Sequence, residues 1–320
     1  MKKVILTVVF AVFVAFAFLL SYVKIALPNV GEAPIIKVQA TPERIERGKY
    51  LANSVMLCID CHSTRDWSKF SAPLLEGTLG KGGKAFDQKA GFPGAYYASN
   101  ITPHNLGNWT DGEIFRAITA GVSKDGRALF PVMPHPNYGK LDQEDIYSVI
   151  AYIRTLPTIV NNVPAPSSDF PMNFILNTIP QKATLKPMPD TTNAVLYGQY
   201  IFTAASCGDC HTKQENGKAI KGMELAGGYE FILPNGNKVL SANITPDEET
   251  GIGLWSKKAF VNEFKAYVAE GYKPHMVSDK DFNTVMPWMM YASMTEQDLG
   301  ALYDYLKTAK PIKNRIENIK

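Results

Sequence analysis

The chain has 320 residues, room for two domains of ordinary size, with 46% hydrophobic and 20% charged residues. That balance excludes wholesale disorder and a polytopic membrane protein, and a net charge of +3 leaves no footprint of a nucleic-acid binder. The four cysteines, Cys58, Cys61, Cys207 and Cys210, are too few for a disulfide scaffold.

The first predicted element is a membrane helix. Met1-Lys2-Lys3 precedes 20 uncharged residues, Val4 to Val23, and about 20 apolar residues span a bilayer core. The leading lysines favour an N-terminus left in the cytoplasm and a chain exported beyond it. An uncleaved anchor is expected at 4–23. A cleaved signal peptide is the alternative, but no small-x-small site follows Ser21-Tyr22-Val23-Lys24. Lys2, Lys3, Lys24 and Glu32 carry +2 of the net charge, so the exported part holds only +1.

Beyond the anchor the chain repeats itself. Gly48-Lys49-Tyr50 matches Gly198-Gln199-Tyr200, and Cys58-Ile59-Asp60-Cys61-His62 matches Cys207-Gly208-Asp209-Cys210-His211. Asn100-Ile101-Thr102-Pro103 then matches Asn243-Ile244-Thr245-Pro246, Trp109 matches Trp255, and Met133-Pro134 matches Met286-Pro287. Five landmarks in one order imply two copies of one domain. Short helices are expected at each Cys-x-x-Cys-His and after each Trp. Asp142 and Thr295 read as N-caps of closing helices, with apolar residues at Ile146, Val149, Ile150 and Ile153 and at Leu299, Leu302, Tyr303 and Leu306. The prolines between Pro157 and Asn193 predict an extended connector strapped across both copies. Pro234-Asn235-Gly236 predicts a hairpin turn. The expected boundaries are 1–34 anchor, 35–160 first domain, 161–192 connector and 193–320 second domain, all-α throughout.

Cys-x-x-Cys-His is the haem c attachment signature. Its spacing lets both thiols reach one haem edge from one helical turn, with the histidine beneath the iron. Two covalent haem c groups are therefore expected, on Cys58 and Cys61 and on Cys207 and Cys210, with His62 and His211 as proximal ligands. A thioredoxin-like pair would need a βαβ context, and a shared zinc site would need closer pairs. For the opposite ligand, His104, Met133, His135, His275, Met276, Met286, Met289, Met290 and Met294 are candidates. Only Met133 and Met286 match each other across the repeat, and each precedes a proline that holds an extended loop. Bis-histidine ligation through His135 or His275 is the alternative. The recurring aromatics Tyr50, Trp109, Tyr138, Tyr200, Trp255 and Tyr291 are expected to wall the haem clefts.

With these motifs the chain, over roughly residues 44–310, resembles the membrane-anchored cytochrome c proteins related to the cytochrome subunits of bacterial alcohol and gluconate dehydrogenases. Asn-Ile-Thr-Pro ahead of a Trp is the most specific part of the likeness. The resemblance implies small all-α cytochrome c domains, His62/Met133 and His211/Met286 as axial pairs, and electron transfer from a periplasmic dehydrogenase toward quinone, an oxidase or another cytochrome. It implies a location on the bacterial cell membrane with the haem domains in the periplasm. Those subunits carry three haem motifs and this chain has two. A membrane-tethered electron carrier without catalysis of its own is the expectation. A dehydrogenase subunit and a dihaem peroxidase are the alternatives.

Overall fold

The computed structural model describes residues 1–215 and 217–317. It opens with helix α1 (Lys2–Ile25), 24 residues with a mean hydropathy of 2.9 over its most apolar window and no buried side chain. At 1.5 Å per residue it is about 36 Å long, enough to cross a bilayer core.

The first half of the remaining chain contains α2 (Pro42–Tyr50), continued by a wide turn at Leu51–Val55, α3 (Cys58–Cys61), α4 (Pro103–Leu106), α5 (Asp111–Ala120), α6 (His135–Tyr138) and α7 (Gln143–Ile153). The connector carries α8 (Met172–Ile175). The second half contains α9 (Ala194–Ala204), α10 (Cys207–His211), α11 (Lys257–Lys265), α12 (Trp288–Tyr291) and α13 (Glu296–Leu306). The starts follow local chemistry. Thr110 and Glu113 form a reciprocal capping box at α5, and Asp142, Ser256 and Thr295 each accept a backbone N–H at the starts of α7, α11 and α13.

The structure is mostly helical, and short strands qualify the all-α expectation. β1 (Ala85–Phe86), β2 (Gly94–Tyr97) and β3 (Ser167–Ser168) form an antiparallel ribbon with registers Ala85↔Tyr97 and Gly94↔Ser168. β4 (Gln214–Glu215) pairs with β5 (Lys218–Ala219), and β6 (Glu230–Ile232) with β7 (Lys238–Leu240). The last pair flanks the expected hairpin turn, where Gly236 has φ +86°. These glycine-rich segments have no apolar stripe to bury as helices, so antiparallel pairing supplies their backbone partners.

In each half the first helix crosses the last. At the crossing stands a glycine with no room for a side chain: a Cβ on Gly48 would lie 1.8 Å from the Ser148 carbonyl oxygen, and one on Gly198 1.9 Å from that of Ala301. That is the physical meaning of the repeated Gly-x-Tyr. Leu51, Ile59, Ile146 and Ile150 from the first half and Ile201, Leu299 and Leu306 from the second belong to one continuous core.

The tyrosines of that motif join the halves. Tyr50 donates to Asp298 of the second half, and Tyr200 donates to Asp145 of the first at 2.6 Å. Asp145 also pairs with both arms of Arg47 at 2.8 Å, and Asp298 accepts from Tyr197 at 2.8 Å. Beyond the cleft-wall role expected of Tyr50 and Tyr200, their hydroxyls tie one half to the other. The connector also differs from a uniformly extended strap. Between Pro171 and Pro180 it is proline-free and turns helical over Met172–Ile175 and Leu176–Thr178. Further on it docks on the first half: Thr184 and Lys186 N–H donate to the carbonyls of Gly139 and Leu141 at 2.7 and 3.3 Å.

Candidate functional site

Each Cys-x-x-Cys-His begins a single helical turn. The residue before it, Leu57 or Ser206, is left-handed, with φ 54° and 53°. Non-glycine residues adopt that backbone at a cost of order 1–3 kcal/mol unless neighbours impose it. The neighbours are matched too. The Tyr138 hydroxyl donates to the Met56 carbonyl at 2.7 Å, and the Tyr291 hydroxyl to the Ala205 carbonyl at 3.0 Å. Both tyrosines are buried and their pKa values lie well above the ordinary one, chiefly through desolvation. They stay protonated as donors.

His62 Nδ1 lies 2.6 Å from the Ser99 carbonyl oxygen and His211 Nδ1 lies 2.8 Å from that of Ala242. A carbonyl only accepts, so each Nδ1 carries the proton and each Nε2 is left with its lone pair. Desolvation holds both imidazoles below the usual histidine pKa, opposed by these same hydrogen bonds. The result is two neutral imidazoles with one nitrogen free to bind a metal.

The acceptor carbonyls are fixed by the residues that follow them. Asn100 Nδ2 donates to the Ile159 and Asn161 carbonyls at 2.8 and 3.2 Å, while its Oδ1 accepts from Thr102 N–H and Oγ1 at 2.9 and 2.7 Å. Asn243 does the same with the carbonyls of Ile312 and Asn314, at 2.8 and 3.4 Å, and with Thr245 at 2.9 and 2.7 Å. Asn161 and Asn314 in turn donate to the carbonyls of Lys81 and Ala226. Next in the chain, Gly82 and Gly227 donate N–H bonds of 2.8 Å to the carbonyls of His62 and His211. A Cβ on either glycine would come within 2.5 Å of the backbone that carries the acceptor carbonyl. The Asn-Ile-Thr-Pro repeat is visible in the sequence, but its job as the clamp behind the histidine is not.

The cysteines lie beside these histidines, and none forms a disulfide among the described residues. Desolvation first, and the neighbouring Cys61 second, push the Cys58 thiol up to about 12; Cys207 is pushed up to about 12 in the same way, with Cys210 as its neighbour. Cys210 is more open at its own surface, yet the surrounding protein still desolvates it. It is pushed up to about 12 with added contributions from Asp209 and from Cys61 of the first half. The two motifs therefore sit within electrostatic reach of one another.

Among the candidate opposite ligands, Met133 and Met286 are half-buried against the core that also packs Cys58 and Cys207. Both start matched turns, with His135 and Trp288 N–H donating to the Met133 and Met286 carbonyls at 2.7 and 2.9 Å. His135 itself is 1% exposed, its ring pressed against Gly121 and its Nε2 without a partner. Desolvation lowers its pKa to about 4, partly offset by a hydrogen bond with the Leu129 backbone. It stands in the core and not on an open face. His104 is exposed, its Nε2 3.3 Å from Asn162 Oδ1, and exposed His275 stacks on Phe70 with ring centroids 5.1 Å apart. Met294 is a core residue, while Met289 and Met290 line a cavity with Pro73 and Leu74.

These donor sets suit a c-type haem: paired thiols on one turn, an oriented neutral imidazole behind them and a methionine loop against the same core. Comparison with known proteins points the same way. Residues 195–310 match the family model for cytochrome c. The chain contains a cytochrome c domain. The chain is similar over 283 residues, at 25% identity, to the cytochrome c subunit of the quinone alcohol dehydrogenase of Gluconacetobacter polyoxogenes, covering 84% of this chain and 56% of that one. It is 30% identical over 305 residues to the fructose dehydrogenase cytochrome subunit of Gluconobacter japonicus, covering 88% and 56%. It is 24% identical over 272 residues to a dihaem cytochrome c-type protein of Cereibacter sphaeroides, covering 80% and 83%. The chain spans a little over half the length of the dehydrogenase subunits it matches.

Proposed function

We propose that the chain is a membrane-tethered dihaem cytochrome c that passes single electrons between a periplasmic donor and the respiratory chain. Residues 35–160 and 193–320 form its two haem domains, joined by the connector at 161–192. Cys58 and Cys61 attach one haem and Cys207 and Cys210 the other, with His62 and His211 as proximal and Met133 and Met286 as distal ligands. When bound, each haem supplies a one-electron ferric–ferrous couple. The protein's part is to hold the iron ligands rigid, to set ligand basicity through the Nδ1–H bonds, and to keep the group dry. The observation that carries this reading is the recurrence of one clamp, a histidine Nδ1 on a backbone carbonyl fixed by Asn, behind both Cys-x-x-Cys-His turns.

The tether reading is supported at the far end of α1. Lys24 Nζ donates to the Asn173 carbonyl at 2.7 Å and lies 4.8 Å from the Phe174 ring centroid, and Asn177 donates to the Val23 carbonyl at 3.1 Å. A helix discarded as a leader would take these contacts with it.

A redox titration of the purified protein tests the function. Two high-potential one-electron steps are expected, with no rapid carbon monoxide binding to the reduced form. Rapid binding at one iron would mean an open site and would favour the peroxidase alternative. The names of the relatives favour one narrower reading, a subunit of a dehydrogenase. Co-purification of a dehydrogenase activity from detergent extracts supports it, and a cytochrome running alone contradicts it.

A further inference from the structure

The two halves differ where they meet, and the differences interlock. From Cys61 to Gly80 is 19 positions, whereas the matched span from Cys210 to Leu225 is 15. From Asn100 to Met133 is 33 positions, whereas Asn243 to Met286 is 43. Each half thus carries an insertion, and the insertions pair. Phe70 N–H donates to the His275 carbonyl and Val277 N–H to the Ser68 carbonyl, both at 2.9 Å. Asn283 then bridges them: its Oδ1 accepts from Ser71 N–H at 2.9 Å, and its Nδ2 donates to the Trp67 and Lys69 carbonyls at 3.4 and 3.3 Å.

This clasp ends on the second methionine. Ser71 Oγ donates to the Met286 carbonyl at 2.6 Å and accepts from Trp288 N–H at 3.1 Å, so one hydroxyl holds both ends of the Met-Pro turn. Arg65, 8% exposed, donates to the Ser71 and Ala72 carbonyls at 2.7 and 2.9 Å, to the Val285 carbonyl at 3.3 Å and to Asp60 inside the first Cys-x-x-Cys at 3.3 Å. Ser71 and Ala72 have φ 56° and 39°, two consecutive non-glycine residues in the left-handed region. Strain of that kind persists only where surrounding bonds over-determine the backbone. The first methionine turn is held by other groups: Met133 N–H donates to the Phe130 carbonyl at 3.3 Å and Leu129 N–H to that of Gly121 at 2.8 Å, while Asn137 in the same turn donates to Ser206 Oγ and Asp209 of the second half at 3.1 and 3.0 Å.

We propose that Ser71, oriented by Arg65, is a positioning residue for Met286, so that the first half sets the distal ligation of the second haem. The proposal rests on Met286 being that ligand. The second methionine loop is thereby tied, through Arg65 and Asp60, to the attachment turn of the first haem, as the first methionine turn is tied to the second attachment turn through Asn137. Ligation at the second iron then depends on the first attachment turn being in place.

The test uses the full-length holoprotein with Ser71→Ala, Ser71→Gly and Met286→Ala. Glycine accepts φ 56° without strain, so Ser71→Gly removes the hydroxyl while sparing the backbone. Met286→Ala identifies the second couple by its lowered potential and by loss of half the sulfur-to-iron absorption. If that variant keeps the full band, Met286 is not the ligand and the reading beneath the proposal fails. With Met286 established, both Ser71 variants are expected to weaken the methionine's preference for ferrous iron about tenfold, lowering the second couple by ~59 mV and leaving the first in place. Two unmoved couples, or both moving together, would overturn the proposal. So would loss of haem from the first site in both Ser71 variants, since Ser71 would then be a folding residue.

Discussion

Asn100 and Asn243 each hold a carbonyl against a histidine Nδ1–H, and the strength of that bond tunes the basicity of the opposite ring nitrogen. Asn243→Ala leaves the buried Thr245 N–H without its partner and the Ile312 carbonyl with only the longer Thr245 hydroxyl bond of 3.3 Å, at a cost of about 1–3 kcal/mol. It also frees the Ala242 carbonyl to drift, which makes His211 a poorer donor to ferric iron. The expected outcome is a lower thermal midpoint for the holoprotein and a higher potential for one couple only. Two unchanged potentials in a redox titration would contradict the clamp. At this scale the sequence was legible in part. Cysteine, histidine and methionine announce themselves by chemistry and spacing. The Ser99 and Ala242 carbonyls do not, because any residue type supplies one, and only the Asn-x-Thr recurrence hinted that something was held there. The cross-half bonds of Tyr50 and Tyr200 were not legible, because an aromatic repeat looks the same whether or not its hydroxyl reaches the other half.

Helix crossings and caps explain why short, polar helices are stable here. On propensity alone, Gly198→Ala would stabilise α9 by about 1 kcal/mol. The Ala301 carbonyl lies where the Cβ would go, so α9 and α13 must part instead. The expected sign is therefore reversed, with a loss of about 1–3 kcal/mol from overpacking, checked by thermal unfolding; Gly48→Ala is expected to behave alike at α2 and α7. The reciprocal Tyr–Asp bonds make a second prediction. Removing one hydroxyl that donates to a buried carboxylate costs about 1.5–3 kcal/mol, and the double variant Tyr50→Phe/Tyr200→Phe removes both of these tyrosine ties between the halves. Its calorimetric trace is expected to split into two transitions, and one unaltered transition would show that these bonds do not couple the halves. The helix starts at Thr110, Asp142, Ser256 and Thr295 were readable because caps are local. The ribbon at β1–β3 was not, since β3 pairs with β2 from far along the chain.

At the scale of the whole molecule, two similar halves share one core behind a helix long enough to cross a bilayer. The repeat was legible because matched motifs keep their order. The interlocking insertions were not, because an insertion has no counterpart to align with. The tether predicts that the intact chain stays with membranes after an alkaline wash at its full-length mass; a shortened, washed-off form would mean that α1 is removed. The central claim is that the same clamp built twice holds two haems, and the pyridine haemochrome assay on the purified chain, calibrated against protein concentration, tests it most directly. The expected result is two haem c per chain, falling to one in Cys207→Ala/Cys210→Ala. A value of one in the unaltered protein would contradict the account.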